Sequence, residues 1–250
     1  NEFNQFKERL GKNIKNFNSF KSDPLEIVRL LDIENNFSPD LRKRLSDRFV
    51  SNDKFIDSAV CNVQGRVISL FMIRKYAEDF QIIVDSSLSI KLLNHLKKYA
   101  VFFKTEMNII NQPSKGLIVV SDEEWTKDCI KKGKAEINDD LSEKFTPHEL
   151  NYHNNGIINF QKGCFTGQEV IARMQYRGKL KFALARFETY KPQLIERGEV
   201  LTNQLGKNIG QVIMFADNRG LMSLKNSSNL ENDIFKENKE KINFTNKSII

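Results

Sequence analysis

The stretch Lys162-Gly163-Cys164-Phe165-Thr166-Gly167-Gln168-Glu169 constrains this chain more than any other. Its approach, Gly156-Ile157-Ile158-Asn159-Phe160, is short, apolar and β-branched, and it reads as a buried strand. Gly163 and Gly167 bracket Cys164, where glycine adopts backbone angles that a Cβ forbids. After Gly167 the period changes to that of a helix. Val170, Ile171 and Met174 share one face, Glu169 and Arg173 sit four apart, and Gly178 supplies a stop. The pattern presents a thiol on a glycine-flanked turn between a strand and a helix. Lys162 precedes the thiol by two residues, and a helix N-terminus after the turn adds a second positive influence; both favour a thiolate. Spacing alone is met equally well by a small residue packed between glycines, with Lys162 solvated.

A chain of 250 residues buries one large core or two to three small ones. With 40% hydrophobic and 28% charged residues its composition is that of a globular protein. The net charge of +7 favours acidic partners such as nucleic acid or an anionic ligand. The three cysteines, Cys61, Cys129 and Cys164, are far apart and form no CxxC pair. Spacing therefore spells out neither a disulfide framework nor a zinc or iron–sulfur site, which suits a reducing compartment. The histidines, His95, His148 and His153, are too few and too scattered for a metal cluster, so no metal ligands are expected. No apolar run approaches the ~20 residues that span a bilayer, and no signal-peptide core is visible. A cytoplasmic monomer without membrane attachment is the expectation.

Along the chain, Ser22-Asp23-Pro24 is a turn or cap signal, and Leu41, Leu45 and Phe49 recur at helical spacing. Phe55 to Cys61 and Val67 to Ile73 read as strands joined by the hairpin loop Asn62-Val63-Gln64-Gly65. Phe80 to Val84 continues the sheet, and Ser86 and Ser87 cap a helix whose face carries Leu92, Leu93, Leu96 and Tyr99. Phe102 to Ile110 returns as a strand. Another short strand is read at Gly116 to Val120. Ser121 and Glu124 then form the capping box of a helix carrying Trp125, Cys129 and Ile130. Residues 135–155 read as a connecting loop. From Leu180 onward, short alternating strands punctuated by Gly198, Gly206, Gly210 and Gly220 suggest a small barrel.

Lys162 to Glu169, followed by Ala172-Arg173 and Arg177-Gly178, resembles the signature K-G-C-[YF]-x-G-Q-E with a downstream A-R and R-G. That signature belongs to the YgfZ-type folate-binding proteins, relatives of the glycine-cleavage T-protein, an aminomethyltransferase. Pro147 to Asn151 resembles the family's P-x-x-x-N segment, Trp125 with Ile130 and Gly133 its W…I…G helix, and Gln64-Gly65-Arg66 its Q-G-R/K hairpin. The family's N-terminal I-x-x-S-G-x-D motif has no counterpart here, and only Ser51-Asn52-Asp53 resembles the T-N-D that follows it.

The resemblance implies an α+β fold in three modules: a discontinuous folate-binding domain of residues 1–53 plus 113–178, an inserted α+β domain of residues 54–112, and a C-terminal barrel of residues 179–250. It implies tetrahydrofolate or another reduced folate as cofactor, with Trp125, Gly163, Gly167, Gln168, Glu169 and Arg173 on the folate side. The chemistry would fall to Cys164 and Lys162, the thiolate attacking a folate-bound one-carbon unit or handling sulfur or iron. Partners are then iron–sulfur client enzymes, including radical enzymes that thiolate tRNA, with a weak contact to tRNA itself. Aminomethyl transfer is the competing enzymatic reading. It needs an acid after the hairpin glycines, where this chain has Arg66. A basic RNA-binding module is the third reading, resting on net charge.

Overall fold

The computed structural model describes residues 29–33, 55–76, 79–100, 107–110, 120–160, 165–190, 194–226 and 233–250. Among these, mixed α and β elements form two compact units. One comprises Asn1–Val119 with Ile157–Gln168, the other Val120–Gly156 with Glu169–Ile250. The cuts fall at other residues than the boundaries expected for three modules.

The first unit is built on five antiparallel strands, β1 (Arg29–Ile33), β2 (Ile56–Cys61), β3 (Val67–Tyr76), β4 (Asp79–Val84) and β5 (Met107–Ile110), in the order β2-β3-β4-β1-β5. The β2–β3 hairpin is the one read from the sequence. Asn62 closes it: its backbone oxygen accepts from Gly65 N at 2.9 Å, and its side-chain oxygen accepts from Gln64 N at 3.0 Å and Arg66 N at 2.9 Å. Gly65 takes φ +71°, which an L side chain resists. β1 was not anticipated; it pairs with both β4 and β5, Leu31 standing opposite Ile82 and Ile109. Helix α1 (Ser89–Ala100) packs on this sheet. Leu88, Leu92 and Leu96 are fully buried at four-residue intervals, as one helical face requires. The cap differs in detail from the reading of Ser86 and Ser87. Asp85 accepts from Ser87 N at 2.9 Å and opens a 3₁₀ turn, Ser86–Leu88, that leads into α1.

The second unit holds seven antiparallel strands: β6 (Phe182–Thr189), β7 (Val200–Thr202), β8 (Asn208–Ala216), β9 (Arg219–Lys225), β10 (Ile234–Lys236), β11 (Lys241–Ile242) and β12 (Phe244–Ile249). Their order is β11-β10-β7-β8-β9-β6-β12. Alternation along β6, β8 and β9 sends Ala185, Phe187, Val212, Met222 and Leu224 into one core, where the Phe187 ring stacks on Phe215 and meets Phe244 edge-on. Helix α2 (Asp122–Lys132) lies against β8 and β9. Ser121 and Glu124 form the capping box expected of them, and Cys129 and Ile130 face inward. Gly133 ends the helix at φ +68°, so that its N–H and that of Lys134 bond the carbonyls of Ile130 and Cys129.

One further expectation is corrected by the described residues. Gly156 to Phe160 is not a strand but the irregular end of a run of turns from Pro147. Tyr152 anchors that run, its hydroxyl donating to Ala135 O at 2.6 Å from a fully buried ring. Gly156 then turns at φ +74°, outside the extended region a strand needs. Ile157 and Ile158 are nonetheless buried as their apolar character required. The expected strand at 116–120 falls outside the described residues except for Val120, as do 102–106 of the strand before it and the helical spacing of Leu41 to Phe49.

Candidate functional site

Gln161, Lys162, Gly163 and Cys164 lie outside the described residues, so the site is built from the remainder of the signature and from Trp125. Phe165, Thr166 and Gly167 form the turn that leads into helix α3 (Gln168–Arg177). The helix begins immediately after Gly167 and ends immediately before Gly178, as the change of period required. Two hydrogen bonds brace the turn. Gln168 N donates to Phe165 O at 3.1 Å, and Phe165 N donates to Gln168 Oε1 at 3.2 Å. Gln168 therefore spends its oxygen on the turn that carries the thiol's neighbour, and Phe165 is buried as its anchor.

Gly167 takes φ +80° and presses on the β2–β3 hairpin. A Cβ at this position would come within 2.5 Å of Asn62 O and 2.9 Å of Gly65 Cα. The hairpin Asn62 to Arg66 and the turn Phe165 to Gly167 thus meet backbone to backbone inside the first unit. No side chain fits between them.

Glu169 and Arg173 were assigned to the ligand by resemblance. Both are exposed on α3 and pair with each other at 3.0 Å, an i,i+4 contact of the helix surface. Ala172, Tyr176 and Arg177 continue this face, and the five residues line a surface groove of about 480 Å³.

Trp125 sits half-buried on α2 in the second unit. Its indole N–H donates to Glu136 Oε2 at 2.6 Å, and Lys134 Nζ lies over the ring at 5.3 Å from the centroid. Lys134 also pairs with Glu136 Oε1 at 3.4 Å, both side chains being largely shielded from solvent. Glu136 is fixed in turn by its own backbone N–H, which donates to Met214 Sδ at 3.2 Å. Glu136 and Lys134 were not read from the sequence. The signal available was the alternation of buried Ala135 and Ile137 with the charges between them.

A second cluster was also missed. His148 and His153, dismissed as scattered, bring their rings to 4.6 Å. His148 Nε2 donates to Gln175 Oε1 at 3.0 Å, tying the turn run to α3. Burial lowers the pKa of His148, outweighing the Gln175 hydrogen bond and Glu149. Burial, then the charge of His148, takes His153 down to about 4. Both rings are neutral at pH 7. Among the described residues no group of three or more histidine, cysteine or acidic side chains is placed to hold a metal, and Cys61 and Cys129 are buried.

No family model matches the chain. It is 25% identical, over 221 residues, to the tRNA-modifying protein YgfZ of Pectobacterium carotovorum subsp. carotovorum (strain PC1), a match covering 64% of this chain and 66% of that protein. The tRNA-modifying protein YgfZ of Aliivibrio fischeri (strain MJ11) is 22% identical over 213 residues, covering 64% of this chain and 67% of the relative. The match thus spans about two thirds of the length of these relatives. Among solved structures, the glycine cleavage system aminomethyltransferase T from Bartonella henselae superposes with a TM-score of 0.62 at 13% identity, covering 87% of this chain and 82% of that one. The arrangement of sheets and helices is therefore that of the aminomethyltransferase fold, and in sequence the chain is similar to tRNA-modifying YgfZ proteins.

Proposed function

We propose that this chain is a reduced-folate-binding accessory protein for iron–sulfur enzymes that modify tRNA, acting through the Cys164 thiol. The observation that carries the reading is the contact of Gly167 with the Asn62–Gly65 hairpin. It joins the hairpin to the Phe165–Gly167 turn within the first unit, and each of the two belongs to a stretch that carries the resemblance. The name of the relatives supplies the link to tRNA modification. The three-module division, with its C-terminal barrel, belongs to the same proposal.

The residues present fit a folate. Trp125 offers an aromatic plane, and Glu136 beside it is a shielded carboxylate of the kind that pairs with the N–H groups of an aminopyrimidine ring. Lys134 lies over the Trp125 ring and supplies a cation for an anionic ligand. When bound, a reduced folate would supply one-carbon chemistry at its reduced ring. The chain itself would orient the pterin on Trp125, and the thiol chemistry would fall to Cys164 with Lys162.

Titration with tetrahydrofolate, followed by the emission of Trp125, the chain's only tryptophan, tests the reading. A saturable change that weakens in Glu136→Gln is expected. An emission that stays flat to millimolar ligand would remove folate from the proposal.

A further inference from the structure

The end of α3 and the segment that follows it carry more positive charge than the helix needs. Arg177 stands in the last turn, where a cation offsets the negative end of the helix dipole. Beyond it Lys179 and Lys181 are exposed outside the helix, and Arg173 is exposed one turn before. Glu169 is the carboxylate on this face, and it already pairs with Arg173. Among the described residues no ion pair engages Arg177, Lys179 or Lys181. Between Arg173 and Arg177 stands Tyr176, 71% exposed, in the groove lined by Ala172 and the two arginines.

Exposed cations that follow one another closely in the chain, with an exposed aromatic ring among them, match a polymer of phosphates and bases better than a small anion. A small anion is normally held by convergent groups in a closed cavity, and this groove is open. A single strand offers both a backbone for the cations and bases for the ring.

We infer that the surface formed by Arg173, Tyr176, Arg177, Lys179 and Lys181 binds single-stranded RNA, with Tyr176 stacking on a base and the cations on phosphates. The inference rests on the function proposed above for the choice of RNA among polyanions, and it gives the weak tRNA contact expected from the resemblance a place on the surface.

The test is fluorescence anisotropy of the full chain with a fluorescein-labelled oligoadenylate, with an RNA duplex of equal length and with poly-L-glutamate as competitor. Arg177→Gln/Lys179→Gln/Lys181→Gln should weaken single-strand binding tenfold or more. It should also reduce the slope of log affinity against log salt by about 2, since each lost phosphate contact on a single strand removes about 0.7. Tyr176→Ala should weaken single-strand binding at least fivefold with little change of slope, and spare the duplex, while Tyr176→Phe keeps the affinity. Lys179→Gln/Lys181→Gln lies outside α3 and gives the same reading, with about two thirds of the slope change, if the triple variant does not fold. Unchanged affinity and slope in the charge variants, or equal displacement by poly-L-glutamate at equal charge, overturns the assignment. So does indifference to Tyr176→Ala. The same variants titrated with tetrahydrofolate keep the two proposals apart. Lost folate binding with RNA binding retained would make this surface part of the folate site, whereas a wild-type chain that binds RNA but no folate defeats only the folate reading.

Discussion

Gly167 and Gly65, 102 positions apart in the chain, touch so closely that a Cβ on the first would sit 2.9 Å from the Cα of the second. Both occupy left-handed backbone, at φ +80° and +71°. Two left-handed glycines in contact let the turn before α3 rest directly on the β2–β3 hairpin, so the position of one stretch fixes that of the other.

Gly167→Ala should therefore cost stability twice. The added methyl is strained by its own backbone and collides with Asn62 O, for an expected loss of ~2–4 kcal/mol. Urea denaturation measures it. Gly156→Ala is the control, because its backbone is also left-handed, at φ +74°, but nothing lies within 4 Å of the added Cβ, and it should lose only the ~1–2 kcal/mol of backbone strain. Equal losses at the two positions would mean the contact with the hairpin contributes nothing.

Glu136 holds both the edge of Trp125 and the ammonium of Lys134. Glu136→Leu strands an indole N–H and a shielded cation and should destabilise the second unit by about 2 kcal/mol. Glu136→Gln keeps an acceptor for the indole and should cost clearly less. Chemical unfolding followed through Trp125 emission separates them, and identical midpoints would show that the hydrogen bond is dispensable.

Acid should loosen the second unit through its histidines. In the unfolded chain both titrate near 6.5, whereas folding lowers both, His153 to about 4. Between these values the unfolded state binds more protons than the folded one, so stability falls as pH drops from 6.5 towards 4. His153→Phe removes one of the two groups and should flatten that part of the profile of unfolding midpoint against pH. A profile as steep as that of the wild type would place the acid sensitivity elsewhere.

Cys164→Ser should leave the fold intact, since the change in volume is small, and abolish support of client-enzyme maturation. Lys162→Met should also reduce thiol alkylation near neutral pH, because a cation next to a thiol favours the reactive thiolate. Cys61→Ser and Cys129→Ser, at buried positions, are the controls for a structural effect. Full complementation by soluble Cys164→Ser would leave the signature as a folding turn.

Where the determinants are local, the sequence alone decided the structure. Ser121 and Glu124 start α2 and Gly133 stops it, Gly167 and Gly178 bound α3, and Asn62 with Gly65 closes the β2–β3 hairpin, because each cap or turn is satisfied by neighbours within a few positions. Alternation likewise marked β6 and β8. Partners far along the chain were decided only by the tertiary structure. β1 carries no alternation of its own and is a strand because β4 and β5 flank it. Ile157 and Ile158 are buried as their apolar side chains demand, but Gly156 and the anchored Tyr152 give them a turn instead of a ladder. The same holds for Glu136 against Trp125, His148 against His153, and Gly167 against Gly65. Hydrophobic pattern says which residues leave water, but it is non-directional, so the choice of which groups then meet falls to the packing of whole elements.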